Sequence, residues 1–267
     1  MNMFLHELKS LRKSTIIWTC SLIAMSAMFL SIYPSILDDA ADYKKMLGSY
    51  PAPVRAMLGI NMNYVTSILG FYSMVFSFIT LCGAIQAMNI GVSILTKESR
   101  ERTADFLLVK PVSRSAIVSA KLLAAFTVIA ATDVAFYAVT IIIANSVKTT
   151  GYDGKLFFMI NLTLFFLQLI FLALGLIVSV FFKKLKSVLP ISLGTVFGLY
   201  MIGALIAADK NNDAARIISP FKYFDTTYII KNGSYEGKYL IASAVIIVLS
   251  VIAGYIIYIK KDIHAVS

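Results

Sequence analysis

The sequence predicts an all-α, polytopic membrane protein, and three observations carry that prediction. The chain of 267 residues is 59% hydrophobic and only 14% charged, with a mean hydropathy of +0.82. Soluble domains carry roughly a quarter charged residues, which they need to face water. The deficit is gathered into six charge-poor runs, each about as long as the ~20 residues that a helix needs to cross a ~30 Å hydrocarbon core. Apart from Asp133, the charges that remain flank those runs. The whole chain, 1–267, therefore reads as one transmembrane domain.

Taken in order, residues 1–13 place Phe4, Leu5, Leu8 and Leu11 on one face at helical spacing and Glu7, Lys9, Arg12 and Lys13 elsewhere. This pattern suits a short interfacial helix, with a frayed terminus as the alternative. The first span is expected at 14–37. Its 24 uncharged residues exceed the ~7–15 of a signal sequence, and no Ala-x-Ala follows, so a retained helix is expected. The next apolar run, 56–96, is about twice the length a crossing requires. The crossing is placed at 67–95, and the segment before it, with Pro51, Pro53 and Asn61-Met-Asn63, is expected as an outer loop or a surface helix. Four further spans follow at 122–147, 156–182, 187–208 and 239–259. Between the last two, 209–238 mixes Asp209-Lys-Asn-Asn-Asp213 with Ile217-Ile-Ser-Pro-Phe-Lys-Tyr-Phe224 and Tyr228-Ile-Ile230, too apolar for a free loop.

Six crossings put both termini on one side, and the basic residues choose the side. The set of segments containing the termini holds 14 Lys and Arg and five acids, against 10 and eight in the alternate segments. Both ends are expected in the cytoplasm, in a cell (plasma) membrane. The net charge of +10 belongs to this pattern rather than to a nucleic-acid partner. Cys20 and Cys82 lie in apolar runs, and His6 and His264 at opposite ends of the chain, so neither a disulfide framework nor a metal site is expected. No G-x-x-x-x-G-K-[ST] occurs. The chain cannot cradle ATP phosphates itself, and no catalytic residue is assigned.

The connection between spans two and three contains its own helical pattern. Residues 97–110 read as a cytoplasmic coupling helix: Lys97 to Val109 contains neither Gly nor Pro, Glu98 precedes Arg102 by four residues, and Ala104, Leu107 and Leu108 form an apolar ridge. Pro111 stops the helix, and Ser113 is the expected N-cap of the next one, which runs through Lys121 into span three. The order Glu98, Thr103, Leu107-Leu108, Pro111-Val-Ser-Arg114, then Lys121-Leu122 resembles the coupling segment of type-2 ATP-binding-cassette (ABC) transporter permeases. It falls, as in that family, between the second and third of six spans. One departure is Arg102, where many members have Gly before the Thr.

The resemblance implies a six-span exporter subunit that pairs with a second permease, identical or related, and with two copies of an ABC ATPase. ATP and Mg would be bound by the ATPase, with no cofactor in this chain. Glu98, Arg102, Thr103, Asp105, Leu107, Leu108, Pro111 and Arg114 would form the ATPase-coupling set. Spans one and five often meet across the two-fold axis in this family, which makes Gly194 and Gly198, a GxxxG in span five, the candidate dimer interface. The outer segment resembles the short re-entrant helices found there between the last two spans, as a lid or a gate. Exported cargoes in the family include antimicrobial and amphipathic peptides such as phenol-soluble modulins, drugs and polysaccharides. An amphipathic peptide or drug is expected here, in a bacterial membrane.

Two of the polar residues within spans stand out. Asp133 is the only formal charge in a span, and Gln168 falls at a similar depth of ~18–21 Å. A hydrogen bond between them is expected as structural glue, with pathway lining or a proton relay as alternatives. Gly83, Ala87 and Gly91 repeat at four-residue spacing in span two, marking a second packing face. Two other functions stay open: a proton-coupled secondary carrier using Asp133, and a non-transporting immunity or receptor protein on the same fold.

Overall fold

The computed structural model describes residues 3–100, 113–149, 151–181, 187–208 and 215–260. The protein is an all-α polytopic membrane protein, and six of its helices are long and apolar enough to span a bilayer. The first, α1 (Met3–Asp38), is one unbroken helix of 36 residues, ~54 Å long. The segment expected as a separate interfacial helix is thus the first part of α1, joined to the span without a turn. Pro34 sits only four residues from its end, where it disturbs little of the ladder.

Two short helices, α2 (Ala40–Gly48) and α3 (Ala52–Met57, entered at Pro51), fill the segment expected as loop or surface helix. The second span is α4 (Ile68–Arg100). At ~50 Å it outlasts a hydrocarbon core and runs on into the first residues of the expected coupling helix. Then come α5 (Arg114–Val147), α6 (Gly154–Phe181) and α7 (Leu189–Ala208). Two 3₁₀ turns (Ala215–Ile218 and Pro220–Lys222) and α8 (Thr226–Asn232) precede the last span, α9 (Gly237–Lys260).

Two of the spans are central. Most of α4 and α6 is buried, whereas most of α1, α5, α7 and α9 faces outward, and α4 and α6 form the most extensive helix pair. The sequence permits this because the crossing has glycine on both sides. A Cβ on Gly91 would lie 2.3 Å from the Leu172 carbonyl oxygen, and one on Gly175 would lie 2.8 Å from that of Met88. Backbone meets backbone there, the close approach that small residues allow in a membrane. The Gly83–Gly91 face foreseen in span two is therefore the α4–α6 contact. Along the bundle, one apolar cluster gathers residues from Ala84 to Leu95, Val118 to Ile129 and Leu167 to Val180, with Leu8, Leu11 and Trp18 packed on it. A second gathers Leu22 to Tyr33, Ile68 to Ile79 and Phe136 to Ala144 toward the opposite end.

The segment before α9 is built into the bundle. Ser219 Oγ donates to the Leu199 carbonyl at 2.7 Å, and Tyr235 OH donates to that of Met159 at 2.7 Å. Phe221 packs tilted against Phe171 and edge-on against Tyr200. Arg216 pairs with Glu236 at 2.8 Å and lies 4.5 Å from the centre of the Tyr239 ring. Asp225 caps α8 by accepting from Thr227 N at 2.8 Å, and Gly233 ends it at a φ of 64°, where a Cβ would be strained. Burial lowers the Lys222 ammonium pKa from its ordinary value, opposed by Asp225 and reinforced by Arg216. This packing favours a lid held against the spans.

Candidate functional site

The loop 101–112, with Arg102, Thr103, Asp105, Leu107, Leu108 and Pro111, lies outside the described residues. Its two roots do not. On the incoming side, α4 carries the chain as helix through Glu98 to Arg100. On the outgoing side, Ser113 caps α5 as its sequence position predicts: its backbone is extended at φ −65°, ψ 146°, and its Oγ accepts from Ala116 N at 3.2 Å.

Each root is bonded to a helix other than its own. Lys97 Nζ, on α4, donates to Ser10 Oγ of α1. Arg114 Nη1, on α5, donates to the Ile259 carbonyl at 3.1 Å, near the last turn of α9. Seven residues further along α5, Lys121 is fully buried. Its Nζ donates to the Ile94 carbonyl of α4 at 2.8 Å and pairs with Glu7 Oε1 of α1 at 3.1 Å. A buried ammonium is tolerable only with such a charge partner and further hydrogen bonds. The base of the loop is thus a polar junction of α1, α4, α5 and α9. It also places the beginning of α1, both loop roots and the end of α9 at one end of the bundle.

The junction corrects the reading of the first turns. Leu5, expected on the apolar face of an interfacial helix, is 56% exposed, whereas Glu7, expected off that face, is 7% exposed. The inward face of α1 runs through Glu7, Leu22, Ser26, Leu30 and Tyr33, and Glu7 lies on it because Lys121 waits there. Glu7, Ser10 and Lys97 were absent from the expected coupling set. One signal was available: Glu7 is the only acid in the first 37 residues.

A second polar array crosses the membrane interior. Thr19 of α1 donates to Thr132 of α5 at 3.1 Å, Gln86 of α4 donates to the same Thr132 oxygen at 3.3 Å, and Gln168 of α6 donates to Gln86 at 3.3 Å. Ser192 of α7 adds a bond to Asn89 of α4 at 3.2 Å. The expected bond between Asp133 and Gln168 does not form. Gln86 sits between α5 and α6 and takes Gln168, and the α5 partner is Thr132, about 100° around the helix from Asp133. Asp133 lies instead on the α5 face between two edge-on aromatic pairs to α6, Phe126–Phe165 and Tyr137–Phe158. Neither of its buried carboxyl oxygens has a hydrogen-bond partner among the described residues. A group that contributes no bond contributes little to folding, so Asp133→Asn should leave the thermal midpoint of the solubilised protein unchanged or higher. A clear drop would mean that the carboxylate is holding the bundle together.

Gly194 and Gly198 stand on an open face of α7, with nothing within 4 Å of either Cβ position. Phe197, Met201 and Leu205 are exposed on the same helix.

Residues 1–263 match the family described as ABC-2 family transporter protein. The chain belongs to that family. No curated protein matches it. This ABC-2 family protein is a multi-pass membrane protein and a transport component, the permease part of an ABC transporter, a class that works with an ABC ATPase. The loop whose roots are bonded across four helices is the connection between the second and third spans.

Proposed function

We propose that this chain is one permease subunit of an ATP-driven exporter, working as a pair, identical or related, with two ATPase subunits. Both termini and the 101–112 loop lie in the cytoplasm of a bacterial plasma membrane. The ATPases seat Leu107 and Leu108 in a groove and contact Glu98, Arg102 and Asp105, and their closure moves the coupling helix. Thr103 and Pro111 shape that segment. The observation that carries the reading is the cross-bonding of the loop roots. A push on the loop bears directly on α4 and α5, on α1 through Ser10 and Glu7, and on α9 through Arg114. Four spans thereby shift together and reshape a cavity between two permeases that meet at Gly194 and Gly198. The cargo is an amphipathic peptide or drug, suited to the aromatic residues along α4, α6 and α9.

The test is co-purification from the native host. A nucleotide-hydrolysing subunit should accompany the tagged chain in equal number, and Leu107→Asp with Leu108→Asp should abolish that association while membrane insertion persists. Retained association would overturn the assignment of the coupling face. The proton-carrier alternative rests on the unpartnered Asp133. It would be favoured by transport that follows a pH gradient without ATP.

A further inference from the structure

A groove of about 530 Å³ runs along the outside of the bundle between the first turns of α1 and the middle of α5. Its α1 wall extends from Leu5 to Ile16, ~17 Å of helix. His6, Lys9 and Arg12 line one end, and Ile16, Val128 and Ala131 line the other. The two ends differ in chemistry because of where the bilayer boundary falls. Arg12 and Lys13 are the last charges before the uncharged run 14–37, so the basic end lies at the water–hydrocarbon boundary and the apolar end inside it.

Among the described residues, no acid compensates the positive charge at the mouth. Glu7, the only acid on this stretch, is turned away and paired with Lys121. Lys9 and Arg12 are exposed and take part in no ion pair among the described residues. The wall contributed by α5 is neutral. Leu5 and Ile16 beside the groove are 56% and 55% exposed, a surface that water disfavours and acyl chains satisfy.

We propose that this groove binds one anionic phospholipid, with its phosphate on Lys9, Arg12 and His6 and the first part of an acyl chain along Ile16, Val128 and Ala131. A soluble anion would use only the mouth, and a neutral lipid only the floor. An anionic phospholipid uses both, and basic pockets between spans at the cytoplasmic side are suited to such headgroups. The bound lipid would brace the first turns of α1 against α5, beside the Glu7–Lys121 pair.

The experiment uses the full chain purified in mild detergent, with phosphatidylglycerol and phosphatidylcholine as separate probes. Lipid retention is read by native mass spectrometry and the rise in thermal midpoint is recorded. Phosphatidylglycerol should bind at least about tenfold more tightly than phosphatidylcholine. Each charge removed should weaken it about fivefold, and Lys9→Gln with Arg12→Gln about 30-fold. Ala131→Trp, which fills the apolar end and leaves every charge in place, should weaken it as well. Lys44→Gln with Lys45→Gln, equal in charge but on α2 at the other end of the bundle, should not. Lipid-free midpoints of the variants show that each is folded. The proposal is overturned by equal binding of the two lipids, by unchanged affinity in the Lys9/Arg12 double variant or in Ala131→Trp, or by equal loss in the Lys44/Lys45 control. Full displacement of phosphatidylglycerol by glycerol 3-phosphate would also overturn it, showing a soluble-anion site rather than a lipid site.

Discussion

Gly91→Leu is expected to separate the two central helices and to leave little correctly assembled protein. Even the first carbon of the new side chain would lie 2.3 Å from the Leu172 carbonyl oxygen and 3.0 Å from the Gly175 Cα. Both are backbone atoms, which cannot turn aside as a side chain can. Overpacking against movable side chains costs about 1–3 kcal/mol, and a clash with helix backbone belongs at or above the top of that range. The polar bonds that depend on the crossing, Gln86 to Gln168 and Tyr72 to Asn161, would be strained with it. Gly198→Leu is the matched control, since nothing lies within 4 Å of its Cβ position. Thermal midpoints from size-exclusion profiles of the solubilised chain decide the matter. A large drop for position 91 with none for position 198 is expected, and equal drops would refute the backbone-contact account. Should Gly198→Leu spare the monomer and yet abolish pairing of permeases, α7 gains direct support as the interface.

Lys121→Met is expected to destabilise the protein by about 3–5 kcal/mol, because it leaves Glu7 buried without its cation. Methionine fills a similar volume, so the loss reports the missing charge rather than a cavity. Glu7→Gln should also destabilise, since Lys121, with no exposed surface, would lose the carboxylate that faces its ammonium. The double variant should recover much of the loss, because no unpaired charge then remains inside. A double-mutant cycle reads this as a coupling of about 1–3 kcal/mol, and strict additivity would show that the two side chains do not depend on each other. The same variants probe coupling. Under the proposed ATP-driven mechanism, transport by a folded double variant should respond less to ATP, since α1 is then held to the loop roots by Lys97 and Ser10 without the buried ion pair.

How far the sequence reaches is visible at individual residues. Ser113 caps α5 because capping is local: an oxygen-bearing side chain precedes a helix by a fixed number of residues. The apolar character of the segment before α9 was legible from Ile217 to Ile230, whereas its short helices were expected from the family resemblance. That Glu7 turns into the bundle was not legible in the sequence. Lipid is as apolar as a protein core, so a membrane helix need not be polar on its outward side, and its sequence does not mark which face turns in. Gln168 was matched to Asp133 by depth, which residue counting gives, but its partner depends on azimuth, which residue counting does not. The small residues show the same limit, since Gly91 meets another backbone and Gly194 meets none, though both sit in ordinary small-residue repeats.

Sequence alone determined the all-α membrane class, the six apolar runs and the excess of basic residues in one set of segments. These are sums or patterns along the chain, and the bilayer acts on them directly by excluding charge and requiring every span to satisfy its own backbone. Tertiary structure decided that α4 and α6 lie at the centre, that Lys121 is buried between Glu7 and the Ile94 carbonyl, and that both loop roots are fastened to α1 and α9. Those outcomes depend on which helices meet and at what rotation. Contacts between residues as far apart as Arg114 and Ile259 set them, and no local pattern encodes such contacts.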